Sequence, residues 1–233
     1  MSTPISAILW DIDGTLLKAS GAGVLAFVQS LATVTGLEFP TGDLDMGGRT
    51  DPEIARRILQ FAGAAGDHDQ LADRMLIEVA AIYLANELEY AQRTQALPGV
   101  LEALCAFNQL GVVQTVVTGN IEPIARMKMA AAKVDEHLRL DVGGYGSDHR
   151  VRAQLVHTSA RRIADAIGRV EPHRVWVVGD TPRDLECARA AGVRCLLVAT
   201  GTNSYDRLAA LGADAVFADL RDLDRLLAVI ADG

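Results

Sequence analysis

Three apolar runs in this chain each break off into polar, glycine-containing sequence, and all three break in the same direction. Residues 7–10 (AILW) lead into Asp11-Ile12-Asp13-Gly14-Thr15, residues 112–117 (VVQTVV) into Thr118-Gly119-Asn120, and residues 175–178 (VWVV) into Gly179-Asp180-Thr181-Pro182-Arg183-Asp184. If each run is a strand of one parallel sheet, the three polar ends fall along its carboxyl edge, where open α/β sheets place ligands. A buried strand has no structural use for two acids at its end, because desolvating unpaired carboxylates is costly. Asp11 and Asp13 therefore point to a shared cation or reacting group. The competing reading makes Asp11 a helix cap and Asp13-Gly14 a plain turn.

Residues 18–95 carry helical rather than strand periodicity, with stops at Gly36 and Gly63 and a start at Asp51-Pro52. Leu71, Met75, Val79 and Ile82 recur at three or four residues and predict one long amphipathic helix running toward Arg93. From residue 97 the pattern alternates. A helix reaches Leu110 and stops at Gly111, a strand ends at Val117, and a helix begins near Glu122-Pro123. A third strand is predicted over 138–142, a helix over 153–167, a fourth strand over 174–178, and a helix over 182–191 closed by Gly192. Strands at 193–198 and 214–217 follow, and Leu223, Leu226, Leu227 and Ile230 mark a final helix. Apolar strands alternating with helices predict an α/β fold, a Rossmann-like parallel sheet covered on both faces through right-handed crossovers, with an all-helical insert. The expected division is a discontinuous α/β core of residues 1–17 and 96–233 and a helical unit of residues 18–95.

Composition narrows the function. A net charge of -8 over 233 residues argues against a nucleic-acid backbone or an anionic membrane as partner, since either needs a basic stripe. The three cysteines, Cys105, Cys187 and Cys195, are widely spaced without a CxxC pair, so neither a disulfide framework nor a zinc site is expected. Neither a signal peptide nor an unbroken apolar span long enough to cross a bilayer stands out, and a soluble cytoplasmic protein is the expectation. Gly143-Gly144-Tyr145-Gly146 lacks the spacing of a dinucleotide fingerprint, and no P-loop GxxxxGK is present.

DxDGTL at residues 11–16, VVTGN at 116–120 and VVGDTPRD at 177–184, in that order, make the chain similar to hydrolases of the haloacid dehalogenase superfamily, in the phosphatase branch that includes phosphoglycolate phosphatases. The resemblance spans nearly the whole chain and implies that residues 18–95 form a helical cap over the active site. It implies Asp11 as the nucleophile that forms an aspartyl-phosphate, which splits hydrolysis into two displacements. A carboxylate attacking a phosphate dianion meets like-charge repulsion, which a hard divalent cation relieves. Mg2+ is the implied cofactor, held by Asp11, Asp180 and the backbone carbonyl of Asp13. Asp184 would support the site, or serve as a first-turn acid of the helix after Thr181-Pro182. Asp13 resembles the general acid that protonates the departing alcohol and then deprotonates water. An aspartate there favours phosphate esters over carbon–halogen or carbon–phosphorus bonds, because relatives with those activities lack it.

Thr118 and the amides of Gly119 and Asn120 match the phosphoryl-binding turn. The chain departs from the family at the next element, where a lysine, usually followed by proline, is expected and none stands. Arg152, at the start of the following helix, is the favoured substitute, because a guanidinium supplies the same charge with bidentate geometry. Arg150 competes with it, and Lys128 or Lys133 would act only if the helix after Glu122 folded differently. Arg49, in Gly47-Gly48-Arg49-Thr50-Asp51, divides between a substrate contact from the cap and a place in simple helix capping. The implied function is Mg2+-dependent hydrolysis of a small phosphorylated metabolite, with phosphoglycolate phosphatase the nearest analogy. A sugar-phosphate phosphomutase, or a catalytically silent phosphate-binding or regulatory protein, is the alternative.

Overall fold

The computed structural model describes residues 7–19, 22–39, 45–168 and 170–231. Strand β1 (Ala7–Trp10) leaves the sheet into an antiparallel ribbon of β2 (Leu17–Ala19) and β3 (Thr94–Ala96). Four helices lie between the two ribbon strands: α1 (Ala22–Thr35), α2 (Asp51–Phe61), α3 (His68–Ala85) and α4 (Glu87–Arg93). The chain then alternates through α5 (Val100–Gln109), β4 (Val113–Val116), α6 (Glu122–Ala131), α7 (Arg152–Ile167) and β5 (Val175–Gly179). It closes with α8 (Pro182–Ala191), β6 (Arg194–Val198), α9 (Tyr205–Ala209), β7 (Ala215–Phe217) and α10 (Leu223–Ala231).

The main sheet is parallel throughout, in the order β4-β1-β5-β6-β7. Its strands are apolar on both faces because both faces are covered. Ile8, Trp10, Trp176, Val178, Leu196 and Val198 belong to one buried cluster, and Ala7, Leu9, Val175, Val177, Cys195 and Leu197 to the other. The alternation follows the two-residue period of a strand. A third cluster fills the helical insert with Phe27, Ile54, Ile58, Met75, Val79 and Tyr83, and takes in Ile121 and Ile124 at the start of α6. The insert thus rests on α6. No helix among the described residues is long and apolar enough to cross a membrane.

Two expectations are corrected. Residues 138–142 are not a strand: short 3-10 turns at Asp135–His137 and Leu140–Val142 occupy the segment, and one isolated bridge, Val117 to Gly144, meets the edge of β4. The backbone turns on itself, the Leu138 amide donating to the Asp135 carbonyl at 3.1 Å, the Leu140 amide to Leu138 at 3.0 Å and the Val142 amide to Arg139 at 3.2 Å. Isolated bonds from the Arg139 amide to the Gln114 carbonyl at 2.7 Å and from the Gly144 amide to the Val116 carbonyl at 2.9 Å hold it against β4 without a ladder. The single helix expected from residue 71 to Arg93 is two helices broken at Asn86. There the side-chain amide donates to the Ile82 carbonyl at 2.8 Å, and the main-chain amide is shared between the Ile82 and Tyr83 carbonyls at 3.2 Å. The β2–β3 ribbon was not expected, since three residues per strand are too few for alternation to show.

Candidate active site

The carboxyl ends of β1, β4 and β5 converge with the start of α7. Asp11 continues β1 by one residue, its amide donating to the Val178 carbonyl at 2.8 Å, and its side chain is buried. The chain then turns sharply, with the Gly14 amide donating to the Leu17 carbonyl at 2.8 Å. Gly14 has a φ of +86°, and a Cβ there would stand 2.6 Å from a carboxylate oxygen of Asp180, so the turn requires glycine. Asp180 follows β5 and is buried. Thr181 caps α8 in a reciprocal box with Asp184, whose Oδ2 accepts from the Thr181 hydroxyl at 2.7 Å and the Thr181 amide at 3.0 Å. Asp184 therefore caps its helix and faces the site with its other oxygen.

Carboxylate oxygens of Asp11, Asp180 and Asp184 lie within 4.8 Å of one another. Burial pushes Asp11 up to about 7, opposed by Arg152 and reinforced by Asp184 and Asp13. Burial, then the charges of Asp11 and Asp184, push Asp180 up to about 8. The cluster is short of positive charge. Arg152 supplies the direct contact, Nη2 donating to Asp11 at 2.6 Å and to Asp184 at 2.5 Å, and Nη1 to the Gly48 carbonyl at 3.0 Å. Its Nε is a buried donor with no acceptor among the described residues. Arg150, two residues earlier, is exposed and pairs with Asp69.

Asp13 lies across the turn, partly exposed to the cavity. Lys128 of α6 donates to its two oxygens at 2.8 and 2.6 Å and to the Asn120 side-chain carbonyl at 2.8 Å. The Asn120 amide group donates to Asp13 at 2.7 Å and to the Thr118 hydroxyl at 2.9 Å. Sequence reasoning placed Lys128 outside the site unless its helix folded differently. The helix starts at Glu122 as expected, and Lys128 still reaches the site, through Asp13 rather than through the nucleophile. One signal was available: Ile124, Ala125, Lys128 and Met129 form the buried face of α6, and a lysine on an apolar stripe demands an acid partner. Lys133 lies two residues beyond α6 with a φ of +57° and has no contact with the acids of the site among those described.

The loop before α2 closes over these groups. Thr50 caps the helix, accepting from the Glu53 amide at 3.3 Å, and its hydroxyl donates to the Arg150 carbonyl at 2.8 Å. The Asp51 amide donates to the Gly119 carbonyl at 2.7 Å, and the Asp51 side chain accepts from the Ile121 amide at 2.9 Å. Gly119 must be glycine, since a Cβ would lie 2.0 Å from the Arg49 carbonyl. Arg49 borders the cavity but its guanidinium is held by Asp45, at 2.9 Å, and by Glu53.

Buried acids at the carboxyl edge of a parallel sheet, bridged by an arginine and covered by helices, make an α/β protein with a site whose oxygen donors suit a cation. A family model described as haloacid dehalogenase-like hydrolase matches residues 5–192, and the chain belongs to that family. It is 29% identical over 230 residues to the plasmid phosphoglycolate phosphatase of Cupriavidus necator, covering 97% of this chain and 95% of that one. It is also 29% identical over 221 residues to the phosphoglycolate phosphatase of Rhodospirillum rubrum, covering 93% and 88%. Among solved structures it is similar in fold to CbbY from Rhodobacter sphaeroides in complex with phosphate, with a TM-score of 0.74, 20% identity, and 94% and 96% of the two chains covered. The chain is an enzyme of the phosphatase branch.

Proposed function

We propose that the protein hydrolyses the phosphate monoester of a small metabolite through an aspartyl-phosphate on Asp11, with Mg2+ as cofactor. The observation that carries the reading is the trio of buried carboxylates within 4.8 Å, two of them pushed well above the ordinary range. That donor set, all hard oxygen and over-rich in negative charge, fits a small divalent cation. Asp11, Asp180 and the Asp13 carbonyl would hold it, with Asp184 behind them. The ion supplies charge neutralisation between carboxylate and phosphate and polarises the phosphoryl oxygens.

The chain's own groups do the rest. Asp11 attacks phosphorus, and the bond from phosphorus to the alcohol oxygen breaks. Asp13, aligned by Lys128 and Asn120, gives its proton to that oxygen. It then takes a proton from the water that attacks the acyl-phosphate, releasing inorganic phosphate and restoring Asp11. Arg152 orients Asp11 and lends its positive charge to the phosphoryl site, while the Thr118 hydroxyl and the amides of Gly119 and Asn120 provide donors. Residues 18–95 act as the cap that excludes water and contacts the alcohol, with Arg49 at its edge. Three free cysteines, Cys105, Cys187 and Cys195, suit a reducing cytoplasm.

Phosphate release from a panel of monoesters, with Mg2+ and with EDTA, tests the reading. Turnover is expected only with the metal, and Asp11→Asn should abolish it in a folded protein. Metal-independent release, or a fully active Asp11→Asn, would refute the mechanism. Transfer of the phosphoryl group to a sugar instead of water would assign the protein as a mutase, and binding without turnover as a phosphate sensor.

A further inference from the structure

The acids and donors of the site come from the ends of β1, β4 and β5, but a fourth strand end shares their edge. β6 runs parallel to β5 with Gly179 opposite Leu197, so the chain that leaves β6 at Val198 passes beside Asp180. The turn it makes, Ala199-Thr200-Gly201-Thr202-Asn203, borders the same cavity as Asp11, Asp13 and Asp180 through Thr200, Gly201 and Thr202. It carries no titratable residue, and nothing in its sequence marks it as part of a catalytic site.

Its contacts nevertheless bear on the acids. The Asn203 side-chain amide donates to the main-chain carbonyl of Asp180 at 3.1 Å, and the Thr200 hydroxyl donates to the Gly14 carbonyl at 2.5 Å. The turn thus ties the segment after β5 to the turn after β1. Gly201 packs directly on the Asp180 side chain, where a Cβ would stand 1.7 Å from Oδ2 and 2.6 Å from Cγ. Gly14 meets the same carboxylate, with a Cβ there 2.6 Å from Oδ2. Two glycine α-carbons therefore fix the direction of a buried carboxylate. Close packing restrains a metal ligand without occupying the oxygen lone pairs that a cation needs, whereas strong hydrogen-bond donors would compete for them. Any side chain at position 201 would force the carboxylate to swing away.

We propose that the turn after β6 sets the affinity of the site for its cation, with Gly201 and Asn203 as positioning residues that act through Asp180. The inference rests on the Mg2+-dependent reading above and adds a determinant of metal affinity that lies outside the motifs.

The test is the Mg2+ dissociation constant of the whole protein, titrated calorimetrically without substrate, beside the melting temperature in EDTA. Gly201→Ala should raise the constant about 10–100-fold, the range for losing a group that orients a metal ligand. Asn203→Ala should raise it about tenfold, and Asn203→Gln, which keeps a donor, should recover most of that loss. Ser204→Ala perturbs the far end of the same turn, where the hydroxyl caps α9 by accepting from the Arg207 amide at 3.4 Å. It should lower the melting temperature and move the constant by less than about twofold. If Gly201→Ala fails to fold, the two Asn203 variants decide. Unchanged Mg2+ affinity in Asn203→Ala, or an equal loss in Ser204→Ala, makes the turn merely structural; either overturns the inference and leaves the phosphatase reading intact. No Mg2+ binding by the parent protein overturns the metal reading itself, and the inference with it.

Discussion

Removing Arg152 separates its role from that of Arg150 in one experiment. The guanidinium reaches Asp11 at 2.6 Å and Asp184 at 2.5 Å, with 9% of its side chain exposed and 7% and 1% for the two acids. Stripping one partner from a buried ion pair costs about 3–5 kcal/mol, because the other is left desolvated and uncompensated. Here part of that returns as protonation, since Asp11 and Asp180 already sit at about 7 and about 8. Arg152→Ala should therefore lose about 2–4 kcal/mol of stability at neutral pH in EDTA, and less with Mg2+, which binds only the folded state. Its kcat/KM should fall about 10²–10³-fold, the scale of one preorganised donor lost from a phosphoryl or oxyanion site. Arg152→Lys should recover part of this, because an ammonium restores the charge but cannot span Asp11, Asp184 and the Gly48 carbonyl as a fork does. Arg150→Ala should change kcat/KM by less than about twofold, since its exposed pair with Asp69 is solvated and Asp69 keeps Arg56. Initial rates at saturating Mg2+, with urea unfolding of each variant, decide the matter. A folded Arg152→Ala within about threefold of the parent, or Arg150→Ala the more damaged, would refute the argument.

Asp180→Asn should weaken Mg2+ binding yet raise the melting temperature of the protein in EDTA, because it removes one of three mutually repelling buried acids; a lower melting temperature in EDTA would contradict this. Lys128→Met should lower kcat about 10²-fold for alkyl phosphates and less than about tenfold for aryl phosphates, whose alcohols leave without a proton. Equal losses on both would remove Lys128 from alignment of the acid. Asp51 is pushed up to about 6, chiefly by burial and against the pull of Lys128 and the Ile121 amide. Its folded value exceeds the ordinary 3.8, so the folded state binds the proton more tightly, and stability falls as pH rises from about 4 to about 6 and is level above. Asp51→Asn keeps an acceptor for Ile121, and should flatten that slope and add about 2–3 kcal/mol at pH 8. Parallel urea-midpoint curves for the two proteins against pH would dispose of the idea.

Much of the framework is written locally. The end of β1, the turn at Gly14, the capping box of Thr181 and Asp184 and the stop at Gly192 each depend on residues a few positions apart, and short-range pattern reads them. Residues 138–142 defeated the same reading. Their apolar spacing suits a strand, but turn bonds from Leu138 to Asp135, Leu140 to Leu138 and Val142 to Arg139 coil the backbone beside the sheet edge. Asn86 is a polar residue like others on the surface of α3 and α4, and nothing in its neighbours marks it as the one whose side chain competes for the Ile82 carbonyl.

By itself the sequence determined the parallel sheet, the helical insert, and the gathering of Asp11, Thr118, Asp180 and Asp184 at one edge, because strand ends in a parallel sheet share an edge whatever packs around them. Only the tertiary structure decided which cation serves which acid. Lys128 meets Asp13 across 115 positions and Arg152 meets Asp11 across 141, and no local pattern encodes such pairs. They follow from the angle at which α6 and α7 pack on the sheet. The same holds for the cavity wall, where Phe27, Ile54, Val79 and Ile124 come from four helices. Each is an ordinary core residue in sequence, and only the packing of those helices brings them to one side of the cavity.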